Sequence, residues 1–154
     1  MSNNYLKFSE ELDRLTSREM DWWVSILDEI DRRLKDADLV ETGPFEDEEW
    51  EWIHTDFVEA GCIDFRYVVK SNSIFFYAEE HGNPAQVCNL VQQFFNLFRP
   101  DGQFHITWAE YCDRPKIGHA RGGAAAVTKD TISWLSADSW LDNEFESIQA
   151  LSGG

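Results

Sequence analysis

Cysteine and positive charge are both scarce in this chain. Its 154 residues include only Cys62, Cys88 and Cys112, an odd number without a Cys-x-x-Cys pair. This excludes a disulfide framework and fits a reducing compartment best. Only 13 Lys and Arg stand against 29 Asp and Glu, which gives a net charge of −16. Because so acidic a chain repels nucleic acid and anionic lipid, we do not expect it to bind either directly.

Long apolar runs are also missing. No window reaches the ~18 apolar residues that a membrane span needs, and the N-terminus has no apolar stretch, so we expect a soluble, unexported, cytoplasmic protein. Apolar residues nevertheless make up 43% of the chain and aromatic residues 14%. A chain of this size and composition buries about two-thirds of its unfolded surface in one core. Disordered and fibrous classes are therefore excluded.

The charge is distributed unevenly along what we expect to be a single domain, residues 1–154. Residues 1–60 form an acidic part with net charge −12, and residues 61–130 form a neutral part. Residues 131–154 form a C-terminal tail with net charge −4. The neutral part has the pattern β-β-α-β-β, and the tail is predicted to be helical.

Apolar spacing predicts two long helices. Residues 17–34 carry one apolar stripe at a period of 3.6, with Thr16 and Glu19 placed as a capping box. A second helix follows Asn83 and Pro84, with Gln86 completing the cap, and it stops before Pro100. Similar spacing predicts shorter helices over residues 4–15, 129–135 and 139–151.

Alternation predicts the strands. Residues 63–69 and 74–78 read as a hairpin, and residues 104–109 and 124–128 read as further strands. Residues 45–58 fit two patterns: Trp50, Ile53 and Phe57 keep helical spacing, whereas Trp50 and Trp52 alternate around Glu51 as in a strand. A strand is predicted over residues 50–58. The expected fold is α+β, with an antiparallel sheet of four to five strands covered by helices as a two-layer sandwich.

The apolar stripes of the predicted helices and the apolar faces of the predicted strands must pack together in one core. The residues expected to be mostly buried there are Trp23, Leu27, Phe65, Phe76, Val87, Val91, Phe94 and Trp108.

Catalytic and metal-binding patterns are weak. The cysteines and the four histidines lack the short spacings of structural zinc motifs, so no metal or other cofactor is predicted. Cys112, Asp113 and His119 supply the residue types of nucleophilic catalysis, and a small enzyme using Cys112 and His119 is an alternative. Packing and loop roles explain these residues more simply.

Two glycine-rich stretches, residues 118–123 and 153–154, are explained by backbone structure rather than by a binding site. Residues 118–123 include Arg121 and could approach an anion, but they lack the ending of a phosphate loop, so a flexible turn or β-bulge is predicted. Gly153 and Gly154 are read as a frayed tail.

The strongest functional signal is an acidic tract, residues 36–65, in which eleven acids occur with no Lys or Arg. Unpaired like charges repel one another, so a cationic partner that relieves the repulsion is a reasonable hypothesis beside a merely solvated face. Such a tract can compete with nucleic acid for a basic surface. The predicted partner-binding residues are Glu46, Asp47, Glu48, Glu49, Trp50, Glu51, Trp52, Asp56 and Glu59.

Seven short motifs over residues 61–141 carry a resemblance. They are Asn83-Pro84, Leu90-Val91-Gln92, residues 98–102, residues 106–109, Gly122-Gly123-Ala124, Val127-Thr128 and Trp134-Leu135-Ser136. On these motifs the chain resembles a family of small uncharacterised bacterial proteins of phage and plasmid origin. The family brings no known function, but its mobile-element context implies an inhibitor of a host defence nuclease, anti-CRISPR proteins included.

The sequence therefore predicts a non-enzymatic acidic protein that blocks a basic, nucleic-acid-binding protein surface. A further alternative is a structural homodimer built on exposed aromatic residues. Trp22 and Ile26 are its candidates, because they lie off the main stripe of the first long helix.

Overall fold

The computed structural model describes residues 4–35, 53–112 and 121–152. The strands are β1 (Asn4–Leu12), β2 (Arg66–Val69), β3 (Ile74–Ala78), β4 (Phe104–Cys112), β5 (Arg121–Val127) and β6 (Ile132–Ser136). The helices are α1 (Ser17–Lys35), α2 (Pro84–Phe98) and α3 (Ala137–Ser152), and a π-helical turn spans His54–Val58.

All six strands belong to one sheet in the order β2-β3-β1-β4-β5-β6, and every neighbouring pair is antiparallel. The α+β class is confirmed. Within the described ranges the sheet has six strands rather than four to five, because β1 and β6 come from segments that the apolar spacing predicted to be helical. Since β1 of the acidic part lies between β3 and β4, the acidic and neutral parts share one sheet.

The prediction of a helix over residues 4–15 is wrong. Phe8 and Leu12 are buried and four residues apart, a spacing that suits one face of a helix and one face of a strand equally well. In the structure Phe8 pairs with Ala78 of β3 and Lys7 with Ala109 of β4. Ladder partners on both sides therefore decide in favour of a strand, as tertiary context often does.

The prediction of a helix over residues 129–135 is also wrong. A tight turn between Thr128 and Thr131 joins β5 to β6, with Thr128 N donating to Thr131 O at 2.9 Å. The Thr131 backbone amide donates to Thr128 Oγ1 at 3.1 Å. These hydroxyl and backbone bonds close a hairpin in which Val127 pairs with Ile132.

Helix α1 agrees with its prediction in extent and in capping. Thr16 N donates to Glu19 Oε1 at 2.9 Å, and Glu19 N donates to Thr16 Oγ1 at 3.2 Å, which is a reciprocal capping box. The buried stripe differs at one edge: Val24 is 40% exposed, whereas Ile26 is 1% exposed. Ile26 is therefore core rather than an exposed dimer candidate.

Helix α2 also forms as predicted. Asn83 Oδ1 accepts from Ala85 N at 3.0 Å, and Pro84 occupies the first turn, where its missing amide costs nothing. Gln86 does not complete the cap. Its side chain is buried and bonds to the backbone of residues 56–64 instead.

The core lies where α1 and α2 meet one face of the sheet. The ring of Trp23 lies 5.5 Å from that of Phe76 and 5.4 Å from that of Phe94. Seven of the eight predicted core residues are buried. Trp108 is only partly buried, with its ring 6.1 Å from that of Trp134.

Helix α3 stands apart from this core. Its described side chains, Ala137 and residues 141–149, are all exposed. The two-layer sandwich therefore stays a prediction. Among the described helices, none has the length and apolar character needed to cross a bilayer.

Candidate functional site

The acidic tract joins the described structure at two points, the C-terminus of α1 and Ile53. Glu46, Asp47, Glu48, Glu49, Trp50, Glu51 and Trp52 lie outside the described residues. Asp56 and Glu59 lie within them, so the structure bears on the part of the tract that follows Ile53.

That part is helical where it is described, and the prediction of a strand is wrong for residues 53–58. Ile53 and Phe57 are both fully buried and four residues apart, which places them on one side of a helical turn. The turn ends at Gly61, whose amide donates to Phe57 O at 2.9 Å and whose φ of +81° favours glycine. Two buried apolar side chains therefore attach the end of the tract to the core.

Gln86 of α2 is the polar anchor of the same segment. Its side chain is 2% exposed. Nε2 donates to Asp56 O at 2.9 Å and to Cys62 O at 3.1 Å, while Oε1 accepts from Asp64 N at 2.7 Å. One amide thus satisfies three backbone groups spread over nine residues, which orders the segment against α2.

Asp56 faces the protein rather than open solvent. Its Oδ2 accepts from Asn89 Nδ2 at 3.0 Å, and the side chain is half-buried. Burial raises the pKa of Asp56, and the hydrogen bond from Asn89 only partly offsets this. Glu59 lies in the following turn and is exposed. Of the two described candidates, Glu59 is the one placed to meet a partner.

The basic side chains at the C-terminal end of α1, just before the tract, form ion pairs with acidic side chains of the same helix. Glu29 accepts from Arg32 and from Arg33, each at 2.6 Å, and Asp31 accepts from Lys35 at 2.8 Å. Bonds from both arginines lower the pKa of Glu29 although burial opposes them. These ion pairs leave little positive charge at the end of α1 to set against the tract.

The described cysteines differ in environment. Cys88 is fully buried in α2, and burial raises the pKa of its thiol to about 12, so it is a packing residue and not a reactive thiolate. Cys62 is exposed. Cys112 ends β4 opposite Asn4, while Asp113 and His119 lie outside the described residues. Within the part of the chain that the structure describes, no three His, Cys, Asp or Glu side chains gather as metal ligands.

The prediction of a turn or bulge over residues 118–123 is wrong for its described half. Arg121, Gly122 and Gly123 are the first residues of β5 and pair with Glu110, Ala109 and Trp108. Gly123 is required there because a Cβ at this position would overlap the indole of Trp108. Gly153 and Gly154 lie outside the described residues.

One pocket of about 200 Å³ lies between β1, β4 and the end of α2. Its lining includes Glu10, Asp13, Arg99 and His105. Arg99 is already bonded to Glu19 and to the backbone of Arg14. The pocket is smaller than the ~300 Å³ at which small-molecule sites usually begin, so it is a poor candidate for a substrate site.

Two surfaces were missed by sequence reasoning. One is the sheet face opposite the core, which carries Tyr5, Phe75, Tyr77 and Tyr111; the other is the exposed apolar stripe of α3. The aromatic run Phe75-Phe76-Tyr77 was the available signal, because it supplies large rings to both faces of a strand.

Comparison with protein-family models, curated proteins and solved structures finds no match to this chain. The resemblance to small proteins of phage and plasmid origin therefore stays a prediction, and the function is argued from the residues.

Proposed function

We propose that this chain is a non-enzymatic acidic binding protein. Its tract, residues 36–65, occupies a basic protein surface and keeps nucleic acid away from it. The proposal rests on one observation: eleven acids in thirty residues with no Lys or Arg among them. Duplex DNA carries one negative charge per ~1.7 Å of axis, so a dense array of carboxylates competes for the same basic surface. DNA mimicry of this kind is the proposed mode of action.

The anchoring of the tract supports this reading. Ile53, Phe57 and Gln86 tie its second half to the core and to α2. A segment that is already ordered in the free protein loses less conformational freedom on binding, so more of the electrostatic attraction appears as affinity.

The proposed target is a nucleic-acid-binding protein, with a host defence nuclease as its proposed class. That class follows from the resemblance to phage and plasmid proteins, and anti-CRISPR activity is one form of it. The charge of the tract favours a basic partner surface whether or not the resemblance holds.

Charge neutralisation tests the proposal. A partner is first captured from the native host and identified by mass spectrometry, and its affinity is then titrated. The test variant combines Glu46→Gln, Asp47→Asn, Glu48→Gln, Glu49→Gln and Glu51→Gln. We expect it to lose binding while keeping the wild-type melting temperature, because easing repulsion among like charges does not destabilise a fold.

The matched control removes five exposed charges elsewhere: Asp21→Asn, Asp28→Asn, Glu79→Gln, Glu80→Gln and Asp130→Asn. We expect it to bind as the wild type does. Binding should weaken from 0.1 M to 1 M salt, as the Debye length falls from ~10 Å to ~3 Å, and duplex DNA should compete with it. If the tract variant binds as tightly as the wild type at low salt, the tract is only a solvated surface.

The enzyme alternative has its own test. Cys112→Ser and His119→Ala should each leave the inhibitory activity intact, because both residues are expected to have packing or loop roles. Loss of activity in both variants at unchanged thermal stability would favour nucleophilic chemistry instead.

A further inference from the structure

The sheet face opposite the core, called the open face here, is rich in aromatic side chains. The rings of Tyr5 and Tyr111 stack at 5.2 Å, and those of Phe75 and Tyr77 stack at 5.3 Å. Tyr111 is 38% exposed, and Val68 beside Phe75 is 43% exposed. Because α1 and α2 contact the opposite face through Phe76 and its neighbours, neither helix covers these rings.

Small residues of β5, together with Ala109 of β4, form a trough in the open face. Gly122, Ala124 and Ala126 of β5 pair with Ala109, Thr107 and His105 of β4, so the larger Thr107 and His105 border the trough on its β4 side. Tyr111 borders the trough at one end, and Leu135 of β6, which is 47% exposed, borders it along one side. Small side chains let a helix approach a sheet closely, while the larger ones beside them supply contact area.

The open face carries basic side chains on an acidic molecule. Lys7, Arg66 and Lys70 accompany it, and Lys70 is bonded to Glu11 at 2.8 Å. The ammonium of Lys70 lies 5.6 Å from the ring centre of Phe75. In a chain of net charge −16, this face attracts an acidic, apolar partner.

Helix α3 has those properties. Leu141, Phe145 and Ile148 follow one another at helical spacing and are 42%, 59% and 56% exposed. Asp142 and Glu144 flank this stripe on its two sides. The helix contains no Lys or Arg. It is an amphipathic helix of the kind that fills an apolar groove.

We propose that two copies of this chain form a homodimer by exchanging α3, so that α3 of each copy lies in the trough of the other. The apolar stripe covers Ala109 of β4 and the small residues of β5, and an acidic flank of α3 meets Lys7 of β1, the strand next to β4. With a two-fold axis between the copies, each trough is filled by the other copy's α3, so no surface remains for a third copy and the assembly closes as a dimer.

Size agrees with this arrangement. The 16 residues of α3 span ~24 Å at 1.5 Å per residue, and the seven residues of β5 span ~23 Å. Two such helix-on-sheet contacts together reach roughly the 1,200–2,000 Å² that stable interfaces bury. Within its own chain α3 follows β6 without a connecting residue and contacts β5 and β6, yet its described side chains remain exposed. Its apolar stripe is therefore not buried by its own sheet.

Sedimentation equilibrium of the full chain from ~1 to ~100 µM tests the dimer. We expect a mass of about 36 kDa, twice the 17.9 kDa of one chain. Phe145→Glu in the helix and Ala126→Glu in the trough should each give the single-chain mass. Both positions are exposed in the single chain, so the circular dichroism spectra should match that of the wild type. Leu97→Glu, at a leucine of α2 that is 63% exposed, is the matched control and should remain dimeric.

Mixing the two disruptive variants tests the exchange itself. In the mixture, the intact α3 of the Ala126→Glu chain can lie in the intact trough of the Phe145→Glu chain. A heterodimer should therefore appear at ~100 µM, although each variant alone is monomeric. A monomeric wild type, a mixture without heterodimer, or a dimeric Ala126→Glu beside a monomeric Phe145→Glu would overturn the proposal; the last result would indicate helix-to-helix pairing.

Salt separates this inference from the proposed function. The dimer should persist at 1 M salt, because its contacts are largely apolar and because salt screens the repulsion between two acidic molecules. Dissociation of the dimer at 1 M salt would overturn the apolar interface. The neutralised tract variant should remain dimeric, so either proposal can fail without the other.

Discussion

The guanidinium of Arg99 donates from Nε to Glu19 Oε2 at 2.7 Å, which joins the end of α2 to the first turn of α1. Glu19 belongs to the capping box of α1, and Arg99 also donates to the backbone oxygen of Arg14. Burial by itself would raise the pKa of Glu19, but the hydrogen bonds from Arg99 and Thr16 outweigh burial and lower it. One of the two bonds of the capping box, from Thr16 N to Glu19 Oε1, and the bridge to Arg99 therefore depend on the Glu19 carboxylate.

The first prediction concerns the pH dependence of this pair. Since folding lowers the pKa of Glu19 from 4.5, the stabilisation is fully present above pH 4.5 and is lost as the pH falls through the folded value. Glu19→Gln should lower the free energy of unfolding by about 1–3 kcal/mol at neutral pH. Urea denaturation of both proteins should show this difference shrinking below pH 4.5. A difference that is constant from pH 7 to pH 3 would contradict the assignment.

The second prediction concerns Gln86. Gln86→Leu keeps the volume but leaves Asp56 O, Cys62 O and Asp64 N without their partner, so we expect a loss of about 2–4 kcal/mol in unfolding free energy. Gln92→Leu on the same helix is the control, because Gln92 makes one long bond, to Thr128 O at 3.3 Å. Hydrogen exchange should show residues 53–64 opening in the Gln86 variant only. Equal losses in both variants would remove the special role of Gln86.

The third prediction concerns the core. Phe94 is fully buried among Trp22, Trp23 and Phe98, so Phe94→Ala should cost about 3–5 kcal/mol. Leu97→Ala, one turn away but exposed, should cost less than about 1 kcal/mol. Chemical denaturation measures both. Similar values for the two variants would mean that α2 presents a different face to the sheet.

The fourth prediction concerns Gly123. A Cβ here would overlap the indole of Trp108 and approach Leu135 O at 2.8 Å, so Gly123→Ala should lower the melting temperature. Overpacking of this kind costs about 1–3 kcal/mol. Trp108→Leu in the same chain should recover part of the loss, since the shorter side chain vacates the overlapping volume. If the double variant melts no higher than Gly123→Ala alone, the destabilisation comes from the contact between the added Cβ and Leu135 O rather than from Trp108.

Of the candidate site, the sequence predicted only the excess of negative charge. Counting acids identified the tract, because net charge is a property of composition and needs no coordinates. The role of Gln86 could not be anticipated from its neighbours, since it follows Asn83 at the spacing of a helix cap. Its actual partners, from Asp56 to Asp64, are 22 to 30 residues distant in sequence. Contacts at that separation exist only once α2 and the π-helical turn have docked.

The sequence by itself determined α1, α2 and the β2–β3 hairpin, because their signals are local. Capping at Thr16 and Asn83, the proline at the start of α2 and the turn between two alternating runs act within a few residues. Tertiary structure decided β1 and β6. In β1 the side-chain pattern suits a helix and a strand alike, and only the ladder partners on β3 and β4 settle the backbone as extended. In β6, Trp134 lies opposite Ala125 of β5, and this pairing prevailed over a local pattern that favoured a helix. Where one segment satisfies two periods, the free energy of long-range pairing selects the conformation.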